Sequence, residues 1–226
     1  MRLWEASGEE GPADLVPFTS TTTNPAFDRE GRLFAVSHYL PSSPVEVWEL
    51  GREKVRKRFQ GQADRSLAVA LSPDGKMLAV GSKQQVLRWN TDNGEPLPSL
   101  PASYVIASLL FSADGGTLVA GCRNVVHLWD LASGAERQLN FPPGTAQVSS
   151  LAMTPGGSRL AALSADGRLV WWDLRSLHQK GPPKISGQWK APGAGAEHAL
   201  AFAPDGRHLA VGNLNGTVYI LRLGSR

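Results

Sequence analysis

Short apolar stretches separated by glycine turns recur five times along this chain. The recurring phrase reads AFDREGRLFAV, ALSPDGKMLAV, LFSADGGTLVA, AMTPGGSRLAA and AFAPDGRHLAV. Each copy predicts two antiparallel strands joined by a tight turn, with glycine at the position where φ is positive. The turn glycines are 44, 40, 42 and 49 residues apart, at Gly31, Gly75, Gly115, Gly157 and Gly206. A repeat of this length is typical of stacked or radial arrays of small sheets.

A second phrase follows each copy and predicts a third strand. It reads VEVWEL, VLRWNT, VHLWDL, LVWWDL and VYILRL, and its residues alternate between apolar and polar, as at 126–129. Polar segments with spaced apolar residues, such as 53–61 and 135–142, predict an outer, half-exposed fourth strand. The chain therefore divides into four-stranded repeats at about 24–60, 61–100, 101–142, 143–190 and 191–226, after a remnant of a preceding unit at 1–23.

These phrases carry a family resemblance. The segments VVHLWDLASGAE (125–136) and ADGRLVWWDL (165–174) resemble the third strand and following turn of WD-repeat β-propellers. The resemblance implies an all-β fold: a single WD40-like propeller domain over 1–226, with about five four-stranded antiparallel blades. The tryptophans on the repeat, which we expect to pack between blades, are Trp48, Trp89, Trp129 and Trp172.

The chain departs from the family pattern in its polar positions. Gln62 stands where the family often has histidine, and Leu221 replaces the tryptophan of the fifth repeat. The position that often holds aspartate carries Ser42, Lys83, Arg123, Asp166 and Asn215 in successive repeats, so Asp166 alone keeps the family residue. This divergence predicts blades held together by apolar packing more than by the polar network of the family.

The two ends leave two explanations open. Trp4 precedes Trp48 by 44 residues and continues the period, while TVYILRL has no fourth strand after it. The chain is therefore either the incomplete tail of a longer propeller, or a five-bladed ring in which the segment at 15–18 completes the last blade. Open blade edges would favour self-association.

Composition excludes several classes of protein. The chain of 226 residues has a formal net charge of +3 and a pI of about 9.2, too small an excess to predict nucleic-acid binding. The basic run at 54–58 is expected to be an outer strand. The single cysteine, Cys122, excludes an internal disulfide and a multi-cysteine zinc site. No apolar run approaches the ~18 residues of a membrane span, and no signal peptide precedes the repeats, so we expect a cytoplasmic protein without membrane contact.

Little catalytic chemistry is visible in the sequence. The histidines show no metal-binding spacing, and we expect His127 and His208 to be surface side chains of strands. Glu197–His198 is an acid–histidine pair placed near a channel mouth, but the expected inner strands carry no carboxylate or histidine. Neither a metal nor a cofactor is predicted, and the chain is not expected to be an enzyme.

The sequence therefore favours a non-catalytic scaffold that binds a protein partner of unknown identity through the loops of one face. Trp171 and Trp189 stand off the main register and are further candidates for a contact surface. The alternatives are a hydrolase or lactonase-like propeller enzyme, or a sensor module of a larger signalling protein. The loop residues expected on the partner-binding face are Asp64, Arg65, Lys83, Tyr104, Arg123, Asn124, Asp166, Asn213 and Asn215.

Overall fold

The computed structural model describes residues 2–3, 13–14, 25–38, 43–52, 54–60, 68–175, 184–191, 198–213 and 215–224. Within these residues the chain is built of antiparallel sheets, with short 3₁₀ turns at Leu50–Arg52 and at 174–175. A two-stranded sheet, β1 (Arg2–Leu3) with β2 (Ala13–Asp14), precedes the repeats. Trp4 and the segment 15–18 lie outside the described residues.

Four of the repeats form four-stranded sheets, or blades, in which strands adjacent in sequence pair with one another. Blade 1 has β3 (Ala26–Phe27), β4 (Leu33–Val36), β5 (Val45–Glu49) and β6 (Lys54–Phe59). Blade 2 has β7 (Ala68–Leu71), β8 (Met77–Gly81), β9 (Gln85–Asn90) and β10 (Pro96–Pro101). Blade 3 has β11 (Ser108–Phe111), β12 (Thr117–Gly121), β13 (Val125–Asp130) and β14 (Glu136–Asn140). Blade 4 has β15 (Val148–Met153), β16 (Arg159–Ser164), β17 (Arg168–Asp173) and β18 (Ile185–Lys190).

Blade 5 has three described strands, β19 (His198–Phe202), β20 (His208–Asn213) and β21 (Val218–Arg222). The first strands of the five blades, β3, β7, β11, β15 and β19, together line one central cavity. β3, β7, β11 and β15 each contact the first strand of the following blade. The blades are thus arranged around an axis, which confirms the propeller predicted from the repeat.

The core lies between successive blades because both faces of the second and third strands are apolar. Val126 and Leu128 of blade 3 pack against Leu160 and Trp172 of blade 4. On the opposite face of β13, Trp129 packs against alanines of blade 2. The alternation that predicts a strand therefore also divides its side chains between two neighbouring blades. The repeat tryptophans Trp48, Trp89, Trp129 and Trp172 are buried. The last three belong to clusters that span two blades, as expected, whereas Trp48 packs on side chains of its own blade.

Two glycines allow close approach between blades. A Cβ at Gly81, the last residue of β8, would lie 2.7 Å from Cγ2 of Ile106, and a Cβ at Gly121, the last residue of β12, would lie 2.6 Å from Cγ1 of Val148. Ile106 lies two residues before β11, and Val148 is the first residue of β15. Both are fully buried. Gly212 holds the equivalent place in blade 5, where a Cβ would meet only Ala199 at 3.8 Å.

Candidate functional site

Loops at one edge of the blades form a surface that we call the upper face. Its described parts are 82–84, 102–107, 122–124, 141–147, 165–167, 213 and 215–217. They join second to third strands within a blade, or the outer strand to the next blade. Backbone hydrogen bonds close them, from Ser82 N to Gln85 O at 3.0 Å and from Cys122 N to Val125 O at 3.0 Å. Turns at the opposite edge form the lower face, at 28–32, 72–76, 91–95, 112–116, 130–135, 154–158 and 203–207.

The loop 102–107 connects blade 2 to blade 3 and is held at both ends. Ala102 N donates to Gln84 O at 2.8 Å, Ile106 N to Ser82 O at 3.3 Å, and Ala107 N to Gly121 O at 3.1 Å. Ile106 is fully buried between the two blades. The two residues before it point outward, since Tyr104 is 45% exposed and Val105 is 40% exposed. The loop therefore presents an aromatic and an aliphatic side chain to solvent from a fixed backbone.

The turn 122–124 lies beside that loop. Cys122 is buried and its thiol contacts the backbone of Tyr104, while burial raises the pKa of the thiol to about 11. The next residues, Arg123 and Asn124, are exposed, and Asn124 O accepts a hydrogen bond from Phe141 N at 3.0 Å. Among the residues that the structure describes, no ion pair involves Arg123. The turn thus places the exposed Arg123 on a segment next to the loop that carries Tyr104, since Cys122 and Ile106 share one buried cluster.

The predicted site residues of blades 4 and 5 take part in local turns. Asp166 accepts a hydrogen bond from Ser164 Oγ at 2.5 Å and forms an ion pair with Arg168 Nε at 3.0 Å. Asn215 Oδ1 accepts from Thr217 Oγ1 at 2.6 Å, and Asn213 Nδ2 donates to that same hydroxyl at 3.1 Å. Lys83, Tyr104, Arg123 and Asn124 thus gather at the boundary of blades 2 and 3, whereas the other three stabilise turns further round. Asp64 and Arg65 lie outside the described residues.

The two faces differ in charge. The described loops of the upper face carry one carboxylate, Asp166, which forms an ion pair with Arg168. The same loops carry two exposed cations, Lys83 and Arg123. The lower face carries carboxylates in nearly every turn: Asp28, Glu30, Asp74, Asp92, Glu95, Asp114, Asp130 and Asp205. The cations in the same turns are Arg29, Arg32, Lys76 and Arg207, so the acids outnumber them two to one.

The acids of the lower face are held ionised by hydrogen bonds. The Ser72 hydroxyl lowers the pKa of Asp74, and the Ser112 hydroxyl lowers the pKa of Asp114. The Ser133 amide lowers the pKa of Asp130. The Arg207 amide, aided by His208, lowers the pKa of Asp205 to about 2. Because hydrogen bonds to a carboxylate favour its charged form, these carboxylates stay ionised well below neutral pH.

The central cavity has a volume of about 490 Å³ and is lined by the inner strands. Its side chains are mostly apolar, with Phe27 and Leu110 among them. Two of its serines form hydrogen bonds with the backbone of neighbouring strands. Ser149 Oγ donates to Leu163 O at 3.1 Å, and Ser150 Oγ accepts from Leu200 N at 3.2 Å. Among the described residues no three of His, Cys, Asp and Glu come together as metal ligands. Glu197 and the side chain of His198 lie outside the described part.

One sequence expectation is wrong: His127 is 1% exposed instead of lying on the surface. Its Nδ1 is 2.7 Å from Glu136 Oε1 on the adjacent strand, and its ring stacks on Trp129 with centroids 5.3 Å apart. Burial alone would raise the pKa of Glu136, but hydrogen bonds from Gln138 and His127 lower it overall. A cross-strand acid therefore makes burial of this histidine possible.

The off-register tryptophans are half-buried between blades 4 and 5. Trp171 lies on the opposite side of β17 from Trp172, as predicted, and packs against the blade 4–blade 5 cluster. Trp189 meets Tyr219 of blade 5 edge to face at 5.4 Å. Sequence reasoning missed Val105 and Gln147, whose Nε2 donates to Val105 O at 2.9 Å. The apolar run at 104–106 inside a loop was the available signal for Val105.

The arrangement of the blades and the repeats in the sequence together define a β-propeller whose repeats diverge in their polar positions. The WD domain, G-beta repeat family matches at residues 53–90, 94–130, 136–173 and 196–221, so the chain belongs to that family. Three of these ranges begin near the outer strand of one blade and end at the third strand of the next. In the part of the chain that the structure describes, no helix is long and apolar enough to cross a bilayer.

Curated relatives and a solved structure agree with this assignment. The chain is 36% identical over 137 residues to small ribosomal subunit protein RACK1y of Oryza sativa subsp. japonica, which covers 58% of this chain and 41% of the relative. It is 30% identical to small ribosomal subunit protein RACK1 of Caenorhabditis elegans, over 56% of this chain and 39% of the relative. These matches span about two fifths of the relatives' lengths. The Cps50 (Swd1) β-propeller domain of Myceliophteria thermophila superimposes with a TM-score of 0.72 and 17% identity, over 92% of this chain and 67% of that domain, and shows the fold.

Proposed function

We propose that this chain is a non-catalytic interaction scaffold that binds a protein partner through its upper face. The observation that carries the proposal is the pairing of a fixed backbone with exposed, recognition-prone side chains in loops 102–107 and 122–124. Tyrosine and arginine are residue types that often dominate interface energetics. Membership of a family whose repeats build rigid discs supports the same reading. A cytoplasmic location stays a prediction.

The face would have Lys83, Tyr104, Arg123 and Asn124 at its centre. Asp64 and Arg65, which lie outside the described residues, stay predicted members of it. Asp166, Asn213 and Asn215 would shape the neighbouring turns rather than contribute most of the binding free energy, because their side chains already bond within those turns. A propeller enzyme using Glu197 and His198 is the alternative. Stoichiometric metal in the purified protein, together with a melting temperature that falls on chelation, would favour it.

The test is quantitative affinity capture with the full chain as bait. An upper-face variant, Lys83→Ser/Tyr104→Ser/Arg123→Ser, is compared with a lower-face control, Arg29→Ser/Lys76→Ser/Arg207→Ser. All six residues are exposed, so both variants should fold and melt like the wild-type chain. We expect proteins captured by the wild type to be lost with the upper-face variant and kept with the control. Equal recovery by both variants would overturn the assignment of the face.

A further inference from the structure

Tyr104 and Val105 form an exposed apolar pair at the boundary of blades 2 and 3. They are 45% and 40% exposed, adjacent in sequence, and lie in a loop whose next residue, Ile106, is fully buried. A single exposed apolar residue on a surface is ordinary, but two neighbours on a fixed loop make a compact contact point.

Fixed geometry increases the affinity that such a pair can give. The backbone around the pair is held by bonds from Ala102 N, Ile106 N and Ala107 N, and by the Gln147 side chain on Val105 O. A loop already held in one conformation loses little entropy when a ligand binds, so more of the contact energy appears as affinity. The same rigidity limits the site to a ligand that matches its shape.

Charge selects the ligand. Arg123 follows Cys122, which packs with Ile106 in one buried cluster, so the exposed Arg123 lies on the turn next to the loop of the apolar pair. In the described loops of this face, the carboxylate of Asp166 is neutralised by Arg168. The described turns of the lower face, by contrast, carry eight carboxylates, such as Asp74, Asp114 and Asp205, against four cations. An anionic ligand would be steered away from the lower face and toward the upper one.

We propose that this patch of Tyr104, Val105 and Arg123 binds an acidic peptide segment that carries an apolar side chain next to a carboxylate. The inference rests on the proposed function and specifies the chemical character of the protein segment that the upper face binds. The apolar side chain lies against Tyr104 and Val105, and the carboxylate pairs with Arg123. A nucleic acid fits less well, because the described patch holds one aromatic ring and few cations rather than a row of stacking platforms along a basic groove.

Fluorescence anisotropy with labelled synthetic peptides tests the proposal. The probe is a short peptide of alternating glutamate and valine. Its matched controls replace glutamate with lysine, or valine with serine, and a single-stranded oligonucleotide of similar length is the fourth probe. We expect the glutamate–valine peptide to bind at least about tenfold more tightly than each of the others, with an affinity that falls as salt rises.

Variants of the full chain locate the site. Tyr104→Ser and Arg123→Glu should each weaken binding of the glutamate–valine peptide by about tenfold. Arg207→Glu makes the same charge change in an exposed lower-face turn and should leave binding unchanged. Thermal melting of each variant shows that the fold is retained. Failure of the peptide to bind, equal binding of the lysine peptide, tighter binding of the oligonucleotide, or insensitivity to both variants would each overturn the proposal.

The two experiments separate the two hypotheses. Loss of captured partners with the upper-face variant, but no binding of the acidic peptide, would keep the face and reject the ligand chemistry. Binding of the peptide through Tyr104 and Arg123, but unchanged capture, would keep the peptide site and reject its use for the captured partners.

Discussion

The third strands of blade 3 and blade 5 have similar apolar patterns but very different surroundings. Val126 and Leu128 are 0% and 4% exposed, whereas Val218 and Ile220, at the matching positions, are each 64% exposed. The matching follows from the ladders, since Gly121 pairs with Val126 as Gly212 pairs with Val218.

The difference separates what the sequence of a strand sets, namely its pairing register, from what a neighbouring blade sets, namely burial of its second face. Alternation in β13 and β21 sets which side chains share a face, and both strands pair in the same register with the strand before them. Burial of the second face comes from the following blade, because Val126 and Leu128 pack against Leu160 and Trp172. The free energy of packing thus belongs to pairs of blades rather than to single repeats.

The largest expected effect comes from truncating matched residues on these two strands. Leu128→Ala should lower the free energy of unfolding by about 2–5 kcal/mol, because it leaves a cavity between blades 3 and 4. Ile220→Ala should change the free energy of unfolding by less than about 0.5 kcal/mol, because its side chain is largely in water. Urea unfolding of both variants measures the difference. Comparable losses for the two would contradict the exposure of blade 5.

A matched pair of glycines sharpens the comparison. Gly121→Ala should destabilise the fold by about 1–3 kcal/mol, since its Cβ would lie 2.6 Å from the buried Val148. Gly212→Ala should be neutral or stabilising by up to about 1 kcal/mol, because it meets Ala199 at 3.8 Å and fixes a flexible residue. Differential scanning fluorimetry ranks the two variants. A tolerated Gly121→Ala would show that the blades do not approach so closely.

The turn acids give a smaller, pH-dependent effect. Asp114 accepts hydrogen bonds from Ser112 Oγ at 2.5 Å and Gly116 N at 3.0 Å, and its pKa is lowered mainly by that serine. A lowered folded-state pKa contributes stability above the unfolded value near 4, and that stability is lost as pH falls through the folded value. Asp114→Ala should therefore cost about 0.5–1.5 kcal/mol at neutral pH.

The same variant should show a weaker acid dependence than the wild type, because it lacks one of the carboxylates that lose their turn bonds on protonation. Melting temperatures recorded from pH 7 down to about pH 2 provide the measurement. A wild-type melting temperature that does not fall in acid, or a variant that falls just as steeply, would count against the turn bonds of Asp114.

Substitutions on β21, the exposed strand of blade 5, should have the smallest effect on stability. Their main effect should be on self-association. Val218→Thr/Ile220→Thr should leave the melting temperature nearly unchanged and lower the tendency to self-associate, since exposed apolar strand faces promote association. Light scattering at rising protein concentration measures this. Unchanged scattering would show that this face does not drive association.

Sequence reasoning predicts the repeat, the strands and the sides taken by Trp171 and Trp172, because these follow from turn residues and alternation. It failed at His127, whose burial depends on Glu136 being brought beside it by strand pairing. For the candidate site, sequence reasoning predicts loops of one face, and the structure describes Tyr104 and Arg123 in two such loops; their role in binding stays a prediction. The hydrogen bonds that fix the loop of Tyr104 depend on contacts between blades, which no local pattern records.

Hydrogen–deuterium exchange, with and without a partner recovered by the capture experiment, tests the central claim most directly. The account predicts slower exchange on binding in loops 82–84, 102–107 and 122–124, and unchanged exchange in the lower-face turns 72–76 and 112–116. Protection confined to the lower-face turns, or absent from all of these loops, would contradict it.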